Sequence, residues 1–241
     1  SHEITMGQID DLEKMVKDYM SGSYEIVETK KIPSAEEVAF GKKAYRTKLT
    51  AFCIDLRKST ELLWEQSPEV CSKIHKSFLT IAVRVISMNQ GQLRSFNGDS
   101  VLAFWPGQYK ADIDNAVKAA FQLKWALDVK LSKYFEPYRK LDFGIGIDWG
   151  MATIVKAGLP RNDNNNDLVF LGDCVNFSCE IASQAYGPNH IEVSPAIYDN
   201  VTDAWKYGTS NGIKQNMWRP GTLNWKGRVW QTKLTSWHAT F

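Results

Sequence analysis

The sequence predicts an α+β domain built on a ferredoxin-like βαββαβ core, with additional C-terminal strands and a helix. Three observations carry this expectation. Short apolar runs occur at TAFCIDL (50–56), QLRSFN (92–97), SVLAFW (100–105) and KLDFGIGIDWG (140–150). Helical periodicity fills the gaps after the first run and after the third. Asn97-Gly98 joins the second and third runs as a hairpin. That order is the ferredoxin-like unit, and its sheet order of 4-1-3-2 makes the first and third strands antiparallel neighbours.

Each element has a local reason. Ile9, Leu12, Met15, Val16 and Tyr19 recur at helical spacing, so 7–20 reads as an amphipathic helix, ended by Gly22. A polar stretch with Pro33 follows, and Ser34 opens a short helical turn. Residues 1–45 read as an N-terminal helical accessory segment and 46–241 as the main domain. Ser59 or Thr60 caps a helix that runs, with a kink at Pro68, to about Met88. Asp112 opens a long helix to about Phe135. ATIVKAG (152–158) reads as a strand paired with its predecessor, and PRNDNNNDL (160–168) as a polar loop. VFLG (169–172) is a short strand, Asp173 caps a helix to about Tyr186, and HIEVS (190–194) is another strand. Runs near 213–218 and 228–234 suggest a final hairpin.

Composition bounds the partners. Twenty-nine basic residues against 27 acidic leave a net charge of +2, too balanced to argue for duplex nucleic acid. No apolar run reaches the roughly 18–20 residues of a membrane helix, and SHEITMGQIDDLEK has no signal-peptide core. Cys53, Cys71, Cys174 and Cys179 form no CxxC pair, as expected of a cytoplasmic protein. Nine tryptophans suggest that several pack at an interface.

The core topology brings Asp55, near the end of the first strand, beside Asp99, at the start of the third. Phe52, Ile54 and Leu56 alternate toward the helix-covered face, while Cys53 and Asp55 point to the face that helices leave open. Two adjacent carboxylates repel each other and lose hydration. A hard cation bridging them relieves both costs, and Mg²⁺ held by carboxylates and substrate phosphates is the usual solution. Arg57-Lys58-Ser59-Thr60 leads directly into a helix N-terminus, which suits phosphate. A lone aspartate after Asn-Gly is ordinarily a solvated turn residue; here the joint placement points to a metal–nucleotide site. Val101, Ala103 and Trp105 share one face of their strand, and if that face is uncovered it points to self-association.

FCIDLRKST resembles the first metal motif of class III nucleotide cyclases, and FNGDSVLAFW the second. FGIGIDWG and LGDCVNFSCEIAS resemble two further motifs of the family, the last in part. Order and spacing fit over residues 48 to about 190. The resemblance is strongest to the Pycsar pyrimidine cyclases, bacterial antiphage enzymes that make cyclic UMP or cyclic CMP.

It implies a homodimer with two active sites at the interface. Asp55 and Asp99, with Ile54 beside them, would hold two Mg²⁺ or Mn²⁺ ions. Asn176 of the other chain would orient the ribose. The 3′-oxygen of UTP or CTP would attack the α-phosphate and release pyrophosphate. Arg57, Lys58, Ser59 and Thr60 would meet the phosphates.

Three positions depart from the family's purine enzymes. Ser95 stands where those carry a lysine or glutamate, and Val169 where they carry an aspartate or cysteine, so neither purine signature is present. Glu180 stands where the family has a transition-state arginine. Arg57, Lys58, Arg161, Lys226 and Arg228 are candidate replacements, Lys226 first. Tyr45 and Arg46 could reach a pyrimidine edge or simply pack at the surface. His75 reads as structural and Cys53 as a small packing residue. The alternatives are a cyclase-fold nucleotide-binding or interaction protein with little or no turnover, and a purine nucleotide cyclase. A diguanylate cyclase or polymerase palm shares the topology, but the chain has no GG-[D/E]-E-F hairpin.

Overall fold

The computed structural model describes residues 6–159 and 165–241. The chain divides into two compact units, residues 1–47 with 153–171, and residues 48–152 with 172–241.

In the smaller unit, α1 (Met6–Met20) is followed by β1 (Glu25–Glu28). That strand pairs in parallel with Lys43–Arg46, the start of β2 (Lys43–Leu56). Ser34 and Glu37 form a reciprocal cap, each accepting from the other's backbone N–H at 3.4 and 2.9 Å, as a capping box requires. Thr153–Gly158, the end of β5 (Phe143–Gly158), pairs antiparallel with β6 (Asn166–Leu171).

The larger unit carries the core sheet. Its remaining strands are β3 (Gln92–Asn97), β4 (Ser100–Pro106), β7 (Ile191–Val193), β10 (Arg219–Trp225) and β11 (Arg228–Thr235), in the order β10-β11-β7-β5-β2-β4-β3. The four central members, β5-β2-β4-β3, reproduce the expected 4-1-3-2 arrangement. A separate hairpin pairs β8 (Tyr207–Ser210) with β9 (Ile213–Asn216).

Two helices cover one face. α2 (Ser59–Glu65) stops before α3 (Pro68–Met88) begins. The expected kink at Pro68 is therefore a break: Ser67 accepts from the Val70 N–H at 3.3 Å and Pro68 takes the first helical position. α3 turns Cys71, Ile74, Phe78, Ala82 and Val85 inward. α4 (Lys110–Lys124) adds Ile113, Ala116, Val117 and Ala120. Its predicted continuation to Phe135 is a π-helical stretch, Trp125–Lys130, and a short α5 (Ser132–Phe135). Phe52, Ile54, Leu56, Val101, Ala103, Trp105, Phe143, Ile145 and Ile147 meet these helices in one core. Val101, Ala103 and Trp105 are at most 1 % exposed, so the suggestion of an uncovered, self-associating face there is wrong. α7 (Pro195–Asn200) and α8 (Asp203–Lys206) complete the helices of the unit beside the one described next.

The opposite face is not open either. α6 (Asp173–Gln184) lies against it, and glycine makes that possible. A Cβ at Gly146 would stand 2.0 Å from the Ser178 carbonyl oxygen, and one at Gly144 would stand 2.0 Å from that of Ala182. The alternating glycines of FGIGI therefore let helix backbone seat directly on β5, while Phe143, Ile145 and Ile147 fill the core behind.

Three expectations about strands change. Residues 140–150 and 152–158 are one continuous strand rather than a pair. The 213–218 and 228–234 runs do not pair with each other; each joins its own neighbour, β8 or β10. The hairpin turn is Gly98-Asp99, since Asn97 pairs with Ser100. Gly98 takes φ +65°, a value readily available to glycine.

Replacing Gly146 by alanine forces a methyl group into backbone. Gly146→Ala should cost at least about 3 kcal/mol, a melting-temperature loss of roughly 6–12 °C, measured by circular dichroism. An unchanged melting temperature would contradict this seating of α6.

Candidate active site

The site follows from the β2–β4 register. Asp55 pairs with Ser100, and the Leu56 N–H donates to the Asp99 carbonyl at 3.1 Å. In an antiparallel ladder hydrogen-bonded and non-hydrogen-bonded positions alternate, so Asp55–Ser100 is a close, non-hydrogen-bonded pair. Asp99 is the next residue, in the turn. The two carboxylates therefore meet at one end of the central strands, as their topology requires.

Electrostatics agree. Burial pushes the Asp55 carboxyl up from 3.8 to about 6; the neighbouring Asp99 charge pushes the same way and Arg57 opposes both. The Ser59 hydroxyl donates to Asp99 Oδ2. Ile54 is fully buried in the core, so its side chain takes no part in holding a cation. No group of three or more His, Cys, Asp or Glu side chains among the described residues is placed to hold a metal. The chain thus supplies two hard carboxylates and leaves other coordination places to water and substrate, a donor set that fits Mg²⁺ or Mn²⁺.

The basic turn is more committed than its sequence suggests. The Arg57 N–H donates to the Asp142 carbonyl at 2.9 Å. Lys58 adopts φ 58° and provides no side-chain cap, and its ammonium lies 3.6 Å from Glu61. Arg139 spans Glu61 and Glu65 at 3.3 and 3.4 Å, holding α2 in place. Thr60 is exposed.

Ser95 is exposed on β3 and pairs with Leu102, as does Cys53 from the other side. Cross-strand partners share a face, so Ser95 lies on the face of Asp55. A register shift between Leu93 and Ser95 marks a bulge at Arg94, a residue the sequence reading missed. Its guanidinium donates to Gln92 Oε1 at 3.1 Å. Gln92 pairs with Phe104, which is also on the Asp55 face, so Arg94 stands there too. No residue pattern announces this bulge.

The remaining candidates scatter. Val169 is exposed on β6, within the smaller unit. There Tyr45 donates its hydroxyl to the Glu37 carbonyl at 3.1 Å, and Arg46 lies 3.5 Å from Glu28. Asn176 is exposed in the early part of α6. Glu180 accepts from Gln184 Nε2 at 2.6 Å. Lys226 donates to Asp173 at 2.8 Å and lies over the Trp225 ring at 4.2 Å. Arg228 is exposed. Arg161 lies outside the described residues. The His75 ring is bonded to the Cys71 carbonyl at 2.8 Å, a structural role.

Cys53 is buried, as a packing residue is; a hydrogen bond with Cys179 on α6, together with burial, pushes its thiol up, and the same hydrogen bond pulls that of Cys179 down. Nearby, burial pushes Asp148 up to about 6, against hydrogen bonds from Ser194 and the Trp149 N–H.

The Asp55 value has a pH signature. Its native carboxyl holds the proton more tightly than an unfolded one, so its favourable contribution is complete below about 3.8 and is lost as pH rises through about 6. The shift corresponds to at most about 3 kcal/mol, and solvent on its exposed side reduces this to ~1–2 kcal/mol. In metal-free buffer Asp55→Asn should therefore gain ~1–2 kcal/mol over the unmodified chain at pH 8 and nothing near pH 4, measured by urea unfolding. A difference independent of pH would contradict this.

No protein-family model matches the chain. Curated relatives do: a uridylate cyclase from Burkholderia cepacia is 27% identical over 98% of this chain and 100% of its own length. A uridylate cyclase from Xanthomonas perforans is 27% identical over 91% and 93%. Among solved structures, the adenylyl cyclase CyaB from P. aeruginosa aligns with a TM-score of 0.67 at 23% identity, over 80% of this chain and 95% of that one. The guanylyl cyclase Cya2 aligns at 0.66 and 21%, over 80% and 94%. The chain thus has the fold of class III nucleotide cyclase catalytic domains and is similar over nearly its whole length to curated uridylate cyclases.

Proposed function

We infer that the chain converts a pyrimidine nucleoside triphosphate, UTP in preference to CTP, into its 3′,5′-cyclic monophosphate and pyrophosphate. The observation that carries this reading is the Asp55–Asp99 pair at the end of β2 and β4. Two Mg²⁺ or Mn²⁺ ions held by Asp55, Asp99 and the Ile54 carbonyl would supply charge neutralisation to a triphosphate. Ser59 holds Asp99 in place, and Arg57 offsets the charge of Asp55.

Base choice is argued from what the family positions lack. Ser95 offers one small hydroxyl and Val169 none, so neither reproduces a purine-reading set. Arg94, on the same face as Ser95, offers guanidinium donors suited to a pyrimidine carbonyl. The curated relatives named uridylate cyclase support UTP. Asn176 is exposed, as a ribose-orienting residue offered to a second copy must be, and the working form is a homodimer. The reading extends to antiphage signalling in the cytoplasm; four free thiols suit a reducing compartment, and no described helix is long and apolar enough to cross a membrane.

Glu180 favours a second reading, a cyclase-fold protein that binds nucleotide with little turnover. A carboxylate cannot stabilise developing phosphate charge, and Lys226, the first replacement, is engaged by Asp173.

Incubation with all four ribonucleoside triphosphates and Mn²⁺, followed by mass spectrometry, separates these readings. Cyclic UMP should dominate, and Asp55→Ala and Asp99→Ala should each lower the rate at least ~100-fold. Tight UTP binding without product would establish the second reading, and a purine cyclic nucleotide as the main product would overturn the base assignment.

A further inference from the structure

A cavity that shares no residue with the carboxylate site lies in the helical layer. It sits between α3 and the segment that runs from Leu131 through α5 to Tyr138, and its volume is about 430 Å³. That is the size of a small-molecule site. Its floor is apolar: Ile74 is 1% exposed and Phe135 5%, with Ile81 and Leu131 half-buried beside them. Ile74, Ser77 and Ile81 recur at helical spacing, so one side of α3 makes one wall.

A π-helical turn builds the other wall. The Leu131 N–H donates to the Ala126 carbonyl at 2.8 Å, a bond one residue longer than an α-helix makes. Such a turn changes which side chains the following residues present, and it recurs at functional sites. Here it precedes Leu131 and Phe135.

The rim is positively charged. Lys73 and Lys76 line it beside Ser77, and none of the described lining residues is Asp or Glu. Lys73 is held by Glu69 at 2.6 Å. Lys76 is exposed and forms no ion pair among the described residues. One ammonium is thus left over an apolar floor. That combination matches a ligand with an apolar body and a single negative charge.

We propose that this cavity binds a small amphipathic carboxylate, its apolar body on the Ile74–Phe135 floor and its anion at Lys76, and that the bound ligand raises the rate of the cyclase reaction. A short route joins the two sites. Tyr138 lines the cavity, and its carbonyl accepts from Gln66 Nε2, just past α2, at 3.3 Å. The next residue, Arg139, spans Glu61 and Glu65 of α2. That helix also carries Ser59, whose hydroxyl donates to Asp99. A ligand that fixes Tyr138 against α3 therefore steadies the helix that positions a site carboxylate. The effect on rate rests on the cyclase reading above, while binding in the cavity does not.

The test titrates the full chain with octanoate and with 1-octanol by calorimetry, for the unmodified chain, Lys76→Glu and Ser77→Trp. Initial rates with UTP and Mn²⁺ are measured with and without octanoate, for the unmodified chain and Arg139→Ala. The expected result is saturable octanoate binding. Binding should be at least ~5-fold weaker for octanol and for Lys76→Glu, and at least ~10-fold weaker for Ser77→Trp, whose indole fills the cavity. Octanoate should raise the rate at least ~2-fold, and Arg139→Ala should bind octanoate but lose that response. Absence of octanoate binding, or unchanged affinity in Ser77→Trp, would overturn the site. Equal binding of octanol, or unchanged affinity in Lys76→Glu, would overturn the assignment of the anion. An unchanged or lowered rate, or a response kept in Arg139→Ala, would overturn the coupling. Saturable octanoate binding in a chain without turnover on any triphosphate would support the site and overturn only the cyclase reading.

Discussion

The repulsion between Asp55 and Asp99 is the constraint on which the rest of the site depends. An antiparallel register at the centre of the sheet forces the two carboxylates together, and burial removes much of the water that would screen them. Ser59 and Arg57 relieve the strain in part. A divalent cation held between them would relieve it further, because it would replace lost hydration with direct oxygen coordination.

The second organising feature is how the two faces of the sheet are covered. On one, branched and aromatic side chains of β2, β4 and β5 meet α3 and α4 in an ordinary core. On the other, α6 approaches through glycine rather than through side chains. Backbone-on-backbone seating leaves a helix little freedom to slide. It therefore fixes where Asn176, Cys179 and Glu180 stand. One short helix carries the exposed Asn176, the half-buried Cys179 and the partly exposed Glu180.

Much of this was legible in the sequence. The alternation in AFCIDL assigned Phe52, Ile54 and Leu56 to the core and Asp55 to the other face, and topology alone paired Asp55 with Asp99. Tertiary effects were not legible. The 143–158 strand reads as two because its character changes near Gly150, from apolar alternation to a more exposed edge. Its continuity comes from partners on both sides. The glycines of FGIGI gave a motif but no indication that a helix would sit on them, so Cys53 looked like a small residue on an open face. The bulge at Arg94 depends on pairing with β4, which single-strand periodicity does not encode. The ion pair of Lys226 with Asp173 joins residues far apart in sequence, so no local pattern announces it.

The most direct measurement of the central claim is a Mn²⁺ titration followed by electron paramagnetic resonance, in the presence of a non-cyclisable UTP analogue lacking the 3′-hydroxyl. The account predicts two bound Mn²⁺ ions per chain, with affinity falling at least tenfold in both Asp55→Asn and Asp99→Asn. Unchanged Mn²⁺ affinity in either variant would contradict a shared cation pocket.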